Sequence, residues 1–289
     1  MLVVNKIDRL PAISTNSILN VCDSNIVIGY VNDNDIADIP QNSRITYINL
    51  KAEFEDLEIK DLSNKYISFD SDSFFKLVRL KWVLFEKVFE NFEFDFLVYS
   101  DLDVIWLKNP IEEFVKSFTA YPDTLALVQD FTTKPSSPNL CMGIFVLKNH
   151  LSSLRLVEDC KILHLEMAKK SPRIGDDDVI TSYYKRLNGM TIRLLPQISF
   201  PVGNLLKAFT KRDVFPGLKP ESPYIFHANF VVGNLKKIMV LDLFMNSFKI
   251  RPLGINHFMH IYFKILIFLK FRSNGIKFYL KRLLRYKNG

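Results

Sequence analysis

The sequence predicts an α/β fold: one domain with a mostly parallel central sheet, followed by basic amphipathic helices at the C-terminal end. Three observations predict this architecture. Short apolar segments typical of strands alternate along the chain with longer segments of helical periodicity. No internal repeat or low-complexity linker divides them, and 289 residues suffice to bury one large core. The last part of the sequence is basic and lacks acidic residues.

The strand predictions rest on short runs of apolar and β-branched residues between polar loops. The segment FDFLVYS (94–100) is uniformly apolar, which is typical of a central strand covered on both faces. Because ligands bind beyond the carboxyl ends of the strands in such sheets, the residues that follow each strand are the first candidates for a site. The predicted strands are residues 24–32, 44–50, 94–100, 124–130, 142–148, 190–196 and 224–230.

The helix predictions rest on apolar residues at helical spacing and on end signals. Ser73 is a suitable residue to begin a helix, and Pro110 precedes a short one. Gly189 is the residue type expected just after a last helical turn. The predicted helices are residues 73–92, 111–118, 151–170 and 177–189.

The composition is that of an ordinary globular protein. Apolar residues make up 48% and charged residues 24% of the chain. The three cysteines are odd in number and lack metal or redox spacing, which indicates a reduced, cytoplasmic setting. Asp8 and Pro11 interrupt the N-terminal segment where a signal peptide needs an unbroken apolar core. No window reaches the roughly 18 apolar residues of a membrane span, so we expect neither secretion nor membrane insertion.

The positive charge belongs to the C-terminal segment. Residues 255–289 hold eight Lys and Arg and no acid, which leaves 30 basic and 31 acidic groups, or −1, for residues 1–254. We therefore predict a globular domain over residues 1–245 and a basic amphipathic tail over residues 246–289. Aromatic, aliphatic and basic residues alternate in the tail, which suits helices lying on an anionic membrane, each basic residue adding about 1 kcal/mol. Nucleic-acid binding is the less favoured use, and packing of the tail on the domain is the structural alternative.

Two carboxylates mark the candidate site. Asp101 and Asp103 directly follow the apolar segment 94–100, in SDLDVIWLKNP. Alternate residues of an extended chain point to opposite faces, but a turn at the strand end lets both reach one cation. Burying two unpaired carboxylates is costly, so a positive group should compensate them, and Mg²⁺ or Mn²⁺ accepts such oxygen ligands. The alternative is that the pair only caps the following turn.

Together with segments elsewhere, this stretch resembles the D-x-D motif of the nucleotide-diphospho-sugar transferase family, glycosyltransferases of the GT-A fold. The resemblance runs in order over about residues 70–240. It departs from the family pattern in GDDDVITSYYKR, where the family has Gln and Asn and this chain has Asp and Thr181. The segments that carry it are RLKWVLFEKVF (79–89), VYSDLDVIWLKNP (98–110), NLCMGIFVLKN (139–149), GDDDVITSYYKR (175–186), RLLPQISFPVGN (193–204) and IFHANFVVGNLKK (225–237).

The resemblance implies a GT-A-like, Rossmann-type domain and a metal-dependent glycosyltransferase. Such an enzyme takes a sugar from a nucleotide-diphosphate donor and transfers it to a glycan or lipid-linked acceptor. By the same resemblance, Asp103 and Asp101 would bind Mn²⁺ or Mg²⁺, and His227 would be a third ligand. The ion would neutralise charge on the diphosphate leaving group. We expect a role in polysaccharide biosynthesis, at the cytoplasmic face of a membrane.

The resemblance also implies residues that contact the donor. Lys81 would face the nucleotide sugar, and Asp101 would contact the donor through the ion. Lys236 would bind a phosphate as a point charge, and Gly233 would let the backbone approach it. Gly143 borders the predicted sugar pocket, or else simply allows close packing of strands.

The acids of GDDD are the catalytic candidates. Asp176 and Asp177 are favoured over Asp178 as carboxylates that bind sugar hydroxyls. Three acids at a probable helix N-terminus also suit the helix dipole, so capping alone would explain one or two of them.

Other classes of protein also carry a D-x-D pattern. A phosphohydrolase of the haloacid dehalogenase type has it after an apolar strand, together with a GDD segment. Against that class, the motif here lies far from the N-terminus, Ile105 replaces the usual Thr or Val, and Thr181 stands where a later acid is expected. A sugar-phosphate nucleotidyltransferase needs a glycine-rich N-terminal loop, which LVVNKIDRLPAIST lacks. A non-catalytic binding protein is a further alternative.

Overall fold

In the computed structural model, strands and helices alternate along the chain, as the sequence predicts. The structure describes residues 1–3, 9–57, 71–130, 138–187, 191–197, 199–202, 223–229, 237–238 and 241. Gly233, Lys236 and the predicted tail lie outside the described residues. The strands are β1 (Leu2–Val3), β2 (Ile26–Tyr30), β3 (Ile45–Asn49), β4 (Phe96–Ser100), β5 (Val104–Trp106), β6 (Ala126–Asp130), β7 (Leu140–Lys148), β8 (Ile192–Leu195) and β9 (Ile225–His227).

The helices lie mostly between successive strands. The longest, of 20 residues, agrees with its predicted bounds, 151–170. Among the described residues, no helix is long and apolar enough to cross a membrane. The helices are α1 (Leu10–Val21), α2 (Asp33–Ile36), α3 (Lys51–Glu55), α4 (Asp72–Leu77), α5 (Leu80–Asn91), α6 (Ile111–Ala120), α7 (Leu151–Lys170) and α8 (Asp176–Arg186).

The described strands form three hydrogen-bonded sheets. β1, β2 and β3 pair in that order and are parallel throughout. The second sheet has the order β4-β7-β6-β8, in which β4, β6 and β8 share one direction and β7 runs against them. β5 and β9 form a short antiparallel pair. The predicted single α/β domain with mostly parallel strands is thus confirmed.

The core is centred on β7, which is buried over its whole length except at Lys148. Helices α5, α7 and α8 contribute to the same apolar cluster. Within it, the Trp82 indole donates a hydrogen bond to Nδ1 of His164 at 3.0 Å, and Nε2 of His164 lies 2.9 Å from the carbonyl oxygen of Ile174. Burial lowers the pKa of His164, so the ring is neutral and its two nitrogens take opposite roles. This chain of contacts joins α5 to α7 and to the segment that leads into α8.

Two helix predictions were wrong in detail. The segment 73–92 is divided into α4 and α5. Ser71, rather than Ser73, caps α4, and its hydroxyl accepts a hydrogen bond from Phe74 N at 3.1 Å. The described part of helix α8 ends with Leu187 as its C-cap, and the predicted C-cap, Gly189, lies outside the described residues.

The position of β4 also differs from the prediction. It lies at one end of the hydrogen-bonded order of its sheet, and its first three residues are only half-buried. The central, fully covered strand is β7 instead. A run of large apolar residues therefore predicted a strand correctly but not its position within the sheet. Helices that pack on the sheet can cover an edge strand as well as a central one.

Candidate metal centre

Asp101 and Asp103 lie in the tight turn between β4 and β5. The backbone N–H of Asp101 donates to the carbonyl of Gly143 on the neighbouring strand at 2.9 Å. The N–H of Val104 donates back to the carbonyl of Asp101 at 3.2 Å and closes the turn. Because the chain turns at the end of β4, the two carboxylates approach a common point, as the sequence predicts for a strand end.

His227 reaches the same point from the end of β9. The antiparallel pairing of β5 with β9 places Val104 opposite His227, and Ala228 N donates to the carbonyl of Asp103 at 2.8 Å. Nε2 of His227 lies 3.2 Å from Oδ1 of Asp103 and 4.0 Å from Oδ2 of Asp101. One ligand atom from each of these three residues lies within 4.8 Å of the others.

Gly143 provides the space that the His227 ring occupies. A Cβ atom at this position would lie 1.9 Å from Cε1 of His227 and 2.4 Å from its Nδ1. No side chain fits there while the ring keeps its position. The sequence left two explanations for Gly143, and the geometry adds a third, which is contact with the candidate metal ligand.

An irregularity in β7 creates this arrangement. The pairing of β6 with β7 jumps from Val128 opposite Phe145 to Gln129 opposite Cys141. Three successive β7 residues, from Met142 to Ile144, thus correspond to a single step along β6. The backbone of this segment bonds elsewhere: the Gly143 carbonyl accepts from Asp101 N, and Met142 N donates to the carboxylate of Asp177 at 2.6 Å.

Lys81, from the first turn of α5, connects the turn to the start of α8. Its buried ammonium lies 3.0 Å from Oδ1 of Asp101 and 2.5 Å from Oδ2 of Asp176. Burial by itself would lower the pKa of Lys81, but the two carboxylates raise it well above its usual value. The ammonium is therefore charged and holds both acids in place.

Tyr99 holds the same oxygen of Asp101. Its hydroxyl donates to Oδ1 at 2.9 Å. Burial and the negative charge of Asp101 raise the pKa of Tyr99 well above its usual value, so the phenol stays protonated and remains a donor. With Oδ1 of Asp101 bound to Lys81 and Tyr99, Oδ2 faces His227.

A second lysine compensates the other aspartate. Nζ of Lys237 lies 2.5 Å from Oδ2 of Asp103. Burial would raise the pKa of Asp103, but Lys237 and His227 lower it below its usual range, so this carboxylate is ionised. Sequence reasoning chose the neighbouring Lys236, and it missed Lys237 as a member of the site. The adjacent Lys-Lys pair was the signal, and the sequence alone gives no means to choose between the two.

Asp177 is held by the backbone of β7. Besides its bond from Met142 N, burial and then the neighbouring Asp176 raise the pKa of its carboxyl well above the usual value. One turn later, Thr181 Oγ1 accepts a hydrogen bond from Leu140 N at 3.0 Å. Asp178 instead caps α8 through a bond from Gly175 N at 2.9 Å. The preference for the first two acids over Asp178 as site residues stays a prediction.

The donor set fits a divalent cation. Asp101 and Asp103 present carboxylate oxygens, and His227 presents an imidazole nitrogen, a combination that suits Mn²⁺ and is compatible with Mg²⁺. All three residues occupy strand ends or the turn between strands, where α/β proteins bind ligands. Together they form a group of oxygen and nitrogen atoms that could hold a divalent metal ion.

Comparison with known proteins identifies the family. The model of the nucleotide-diphospho-sugar transferase family matches residues 33–241, which is most of the chain, and the protein therefore belongs to this family. A comparison with curated protein sequences found no match.

Solved structures show the same fold at low sequence identity. Mouse xyloside xylosyltransferase 1, in its apo form, is 14% identical, with a TM-score of 0.51 over 81% of this chain and 97% of that one. The galactosyltransferase LgtC, in complex with donor and acceptor sugar analogues, is 13% identical, with a TM-score of 0.52 over 83% and 94%. The glycosyltransferase GlyE of Streptococcus pneumoniae is 12% identical, with a TM-score of 0.50 over 85% and 62%. The GT-A fold implied by the motifs is thereby confirmed.

The structure brings most of the predicted site residues together. The candidate metal ligands share one point. Lys81 and Gly143 contact them directly, Asp176 joins them through Lys81, and Asp177 bonds to Met142, next to Gly143. The functional role of each residue stays a prediction. Gly233 and Lys236 lie outside the described residues. Sequence reasoning missed Gln129, Tyr99 and Lys237, which contact the candidate ligands directly.

Proposed function

We propose that the protein is a metal-dependent glycosyltransferase that transfers a sugar from a nucleotide-diphosphate donor to a glycan or lipid-linked acceptor. The observation that carries this proposal is the convergence of Asp101, Asp103 and His227 in a member of this family. Among the described residues, the three carboxylates of Asp101, Asp103 and Asp176 pair with two ammonium groups, those of Lys81 and Lys237. The candidate ligand atoms lie within 4.8 Å of one another. A divalent ion held there would add positive charge beside the carboxylates and would bind the diphosphate of the donor.

Asp101, Asp103 and His227 would hold Mn²⁺ or Mg²⁺. When bound, such an ion stabilises negative charge on the leaving diphosphate. Lys237 lies on Oδ2 of Asp103, the oxygen that does not face His227, and we place the diphosphate beside it. It would add a point charge to the same group, the role that the sequence gave to Lys236.

Asp176 and Asp177 would contact the transferred sugar or the acceptor. Lys81 orients Asp176, and the backbone of Met142 orients Asp177, so both carboxyls have one oxygen engaged by the protein. Among the described residues, these contacts engage Oδ2 of Asp176 and Oδ1 of Asp177, and we propose that the other oxygen of each binds a hydroxyl group. The raised pKa of Asp177 lets its carboxyl donate as well as accept such a hydrogen bond.

The test is nucleotide-diphosphate release from a panel of nucleotide sugars, with Mn²⁺, with Mg²⁺ and with a chelator. We expect release and transfer only with the ion present. Replacement of Asp103 by Asn should lower the rate by about 100-fold or more, because ion stabilisation is worth several kcal/mol and each 1.4 kcal/mol is tenfold. The matched control is Asp72→Asn, an exposed acid on α4 that pairs with Arg173, and this variant should keep full activity.

Several outcomes would contradict the proposal. Full activity of Asp103→Asn, or equal rates in chelator, would exclude a role for the candidate metal centre. Hydrolysis of simple phosphate esters without any nucleotide would instead favour the phosphohydrolase that the D-x-D pattern alone also fits.

We further propose that residues 246–289 form a basic tail separate from the domain at 1–245, and that the tail binds an anionic membrane at its cytoplasmic face. The eight basic residues and absent acids of 255–289 support this proposal. A lipid-linked acceptor would then lie close to the enzyme.

A further inference from the structure

We infer that Gln129 is a positioning residue for the metal centre: its side-chain carbonyl accepts the Nδ1 proton of His227 and thereby directs the unprotonated Nε2 towards Asp101 and Asp103. This inference rests on the proposed metal-dependent function and adds to it a residue outside the ligand set. It concerns the ring of His227 alone and requires no knowledge of the sugar or the acceptor.

The orientation of the Gln129 amide follows from its second hydrogen bond. Gln129 is fully buried at the end of β6, and its Nε2 donates to the carbonyl of Phe200 at 3.1 Å. The amide oxygen is therefore the atom that faces Nδ1 of His227, at 3.2 Å. A carbonyl oxygen only accepts hydrogen bonds, so Nδ1 must carry the proton.

The consequence appears on the other side of the ring. A histidine binds a metal ion as the neutral ring. With its one proton on Nδ1, Nε2 would present its lone pair to an ion held among Nε2, Asp103 at 3.2 Å and Asp101 at 4.0 Å. Histidines that bind metals commonly donate their other N–H to a fixed acceptor, which sets the tautomer and the ring orientation.

One competing acceptor lies near the same nitrogen. Sγ of Cys141 is 3.8 Å from Nδ1 and receives a hydrogen bond from Asn229 Nδ2 at 3.5 Å. Burial, with Asp177, raises the pKa of the Cys141 thiol well above its usual value, so it stays a protonated, weak acceptor. The contact of Nδ1 with the Gln129 carbonyl is shorter than that with Cys141, and the carbonyl is the stronger acceptor. The N–H of His227 Nδ1 therefore donates to Gln129.

The experiment compares three variants of the full chain by Mn²⁺ binding without any nucleotide. Gln129→Met removes the acceptor at nearly constant length, Gln129→Glu restores one, and Cys141→Ala removes the competitor. An electron paramagnetic resonance titration gives the affinity, and spin-echo modulation from ¹⁴N reports an imidazole bound to Mn²⁺. We expect Q129M to bind about 10–100-fold more weakly with a reduced ¹⁴N signal, Q129E to recover most of both, and C141A to match the parent.

Each result supports or overturns the inference. Unchanged affinity and ¹⁴N signal in Q129M, or a loss in C141A instead, would overturn it. So would a parent protein that binds Mn²⁺ without ¹⁴N coupling, and this would remove the His227 ligand as well. The expected pattern in a protein that transfers no sugar would leave the inference standing and refute only the proposed activity. If Q129M does not fold, Gln129→Asn, whose amide is one methylene too short, takes its place with the same expected loss.

Discussion

Replacing Gly143 by alanine adds one methyl group directly against the His227 ring. The new Cβ would lie 1.9 Å from Cε1 and 2.8 Å from Nε2. Ordinary contact begins at 3.4 Å, so the ring must retreat by about 1.5 Å, the difference between 3.4 and 1.9 Å. The imidazole has little freedom to do so, because its side chain is 2% exposed and its backbone is paired with Val104 of β5.

We expect two measurable consequences of Gly143→Ala. Overpacking of a buried site costs about 1–3 kcal/mol, and each 1 kcal/mol lowers the Tm by about 2–4 °C in a protein of this size. A shift of about 1.5 Å also exceeds the tolerance of a metal–nitrogen bond of about 2 Å, so Mn²⁺ affinity should fall by at least about 100-fold. Thermal unfolding and calorimetric Mn²⁺ titration measure the two effects separately.

The matched control is Gly175→Ala. A Cβ at Gly175 would meet its nearest atoms at 3.7 Å, which is ordinary contact, and φ there is −90°. This variant should bind Mn²⁺ normally and lose at most about 1 kcal/mol, as befits a change at a helix N-cap. If Gly143→Ala bound Mn²⁺ as tightly as the parent, either His227 is not a ligand or the ring moves more easily than its contacts indicate, and the reasoning would fail.

Three further changes test other parts of the site and the tail. Lys237→Met should raise Mn²⁺ affinity several-fold without nucleotide, because its ammonium no longer competes for Asp103, and it should weaken nucleotide-diphosphate binding. Lys116→Met, at an exposed position on α6, is the control, and unchanged metal affinity in Lys237→Met would contradict the reasoning. Asp177→Asn should lower the rate of sugar transfer. It should also raise the Tm at neutral pH by about 2–4 °C, which corresponds to about 1 kcal/mol in the free energy of unfolding, because burial and a neighbouring acid disfavour the charged carboxylate. A carboxyl with a raised folded-state pKa favours folding at low pH and loses that contribution as pH rises, so the gain from Asn should vanish below about pH 4; a Tm difference that persists there would refute the cause. Deletion of residues 255–289 should abolish sedimentation of the protein with anionic vesicles. Neither the full chain nor the deletion variant should sediment with neutral vesicles, and unchanged binding of the deletion variant to anionic vesicles would exclude the membrane role.

The parts of the site that sequence predicted are those carried by local patterns. Asp101 and Asp103 follow an apolar strand, and that position alone indicated a turn with two converging acids. His227 entered through resemblance, since one histidine in a strand carries no local signal. Its register opposite Val104 is a product of tertiary pairing.

The parts that were missed depend on that pairing. Gln129 lies in ALVQD, an ordinary strand segment, and its contact with His227 exists because the register between β6 and β7 shifts at this residue. Nothing in a single strand predicts where its partner will bulge. Lys81 was selected among several lysines of one helix, but its place between Asp101 and Asp176 requires contacts separated by up to 95 residues.

The amide of Met142 is an internal reporter of the site. In most sheets such an N–H bonds to a neighbouring carbonyl and exchanges with solvent only when the sheet opens. Here it bonds to the side chain of Asp177, because the irregular segment of β7 leaves it without a backbone partner on β6 among the described pairs. The hydrogen-exchange rate of this amide should therefore change when a ligand binds the Asp177 carboxyl. We expect such a change on donor binding, while the exchange rates of amides such as that of Phe145 stay constant. A single backbone position thus gives a readout of occupancy before the sugar itself is known.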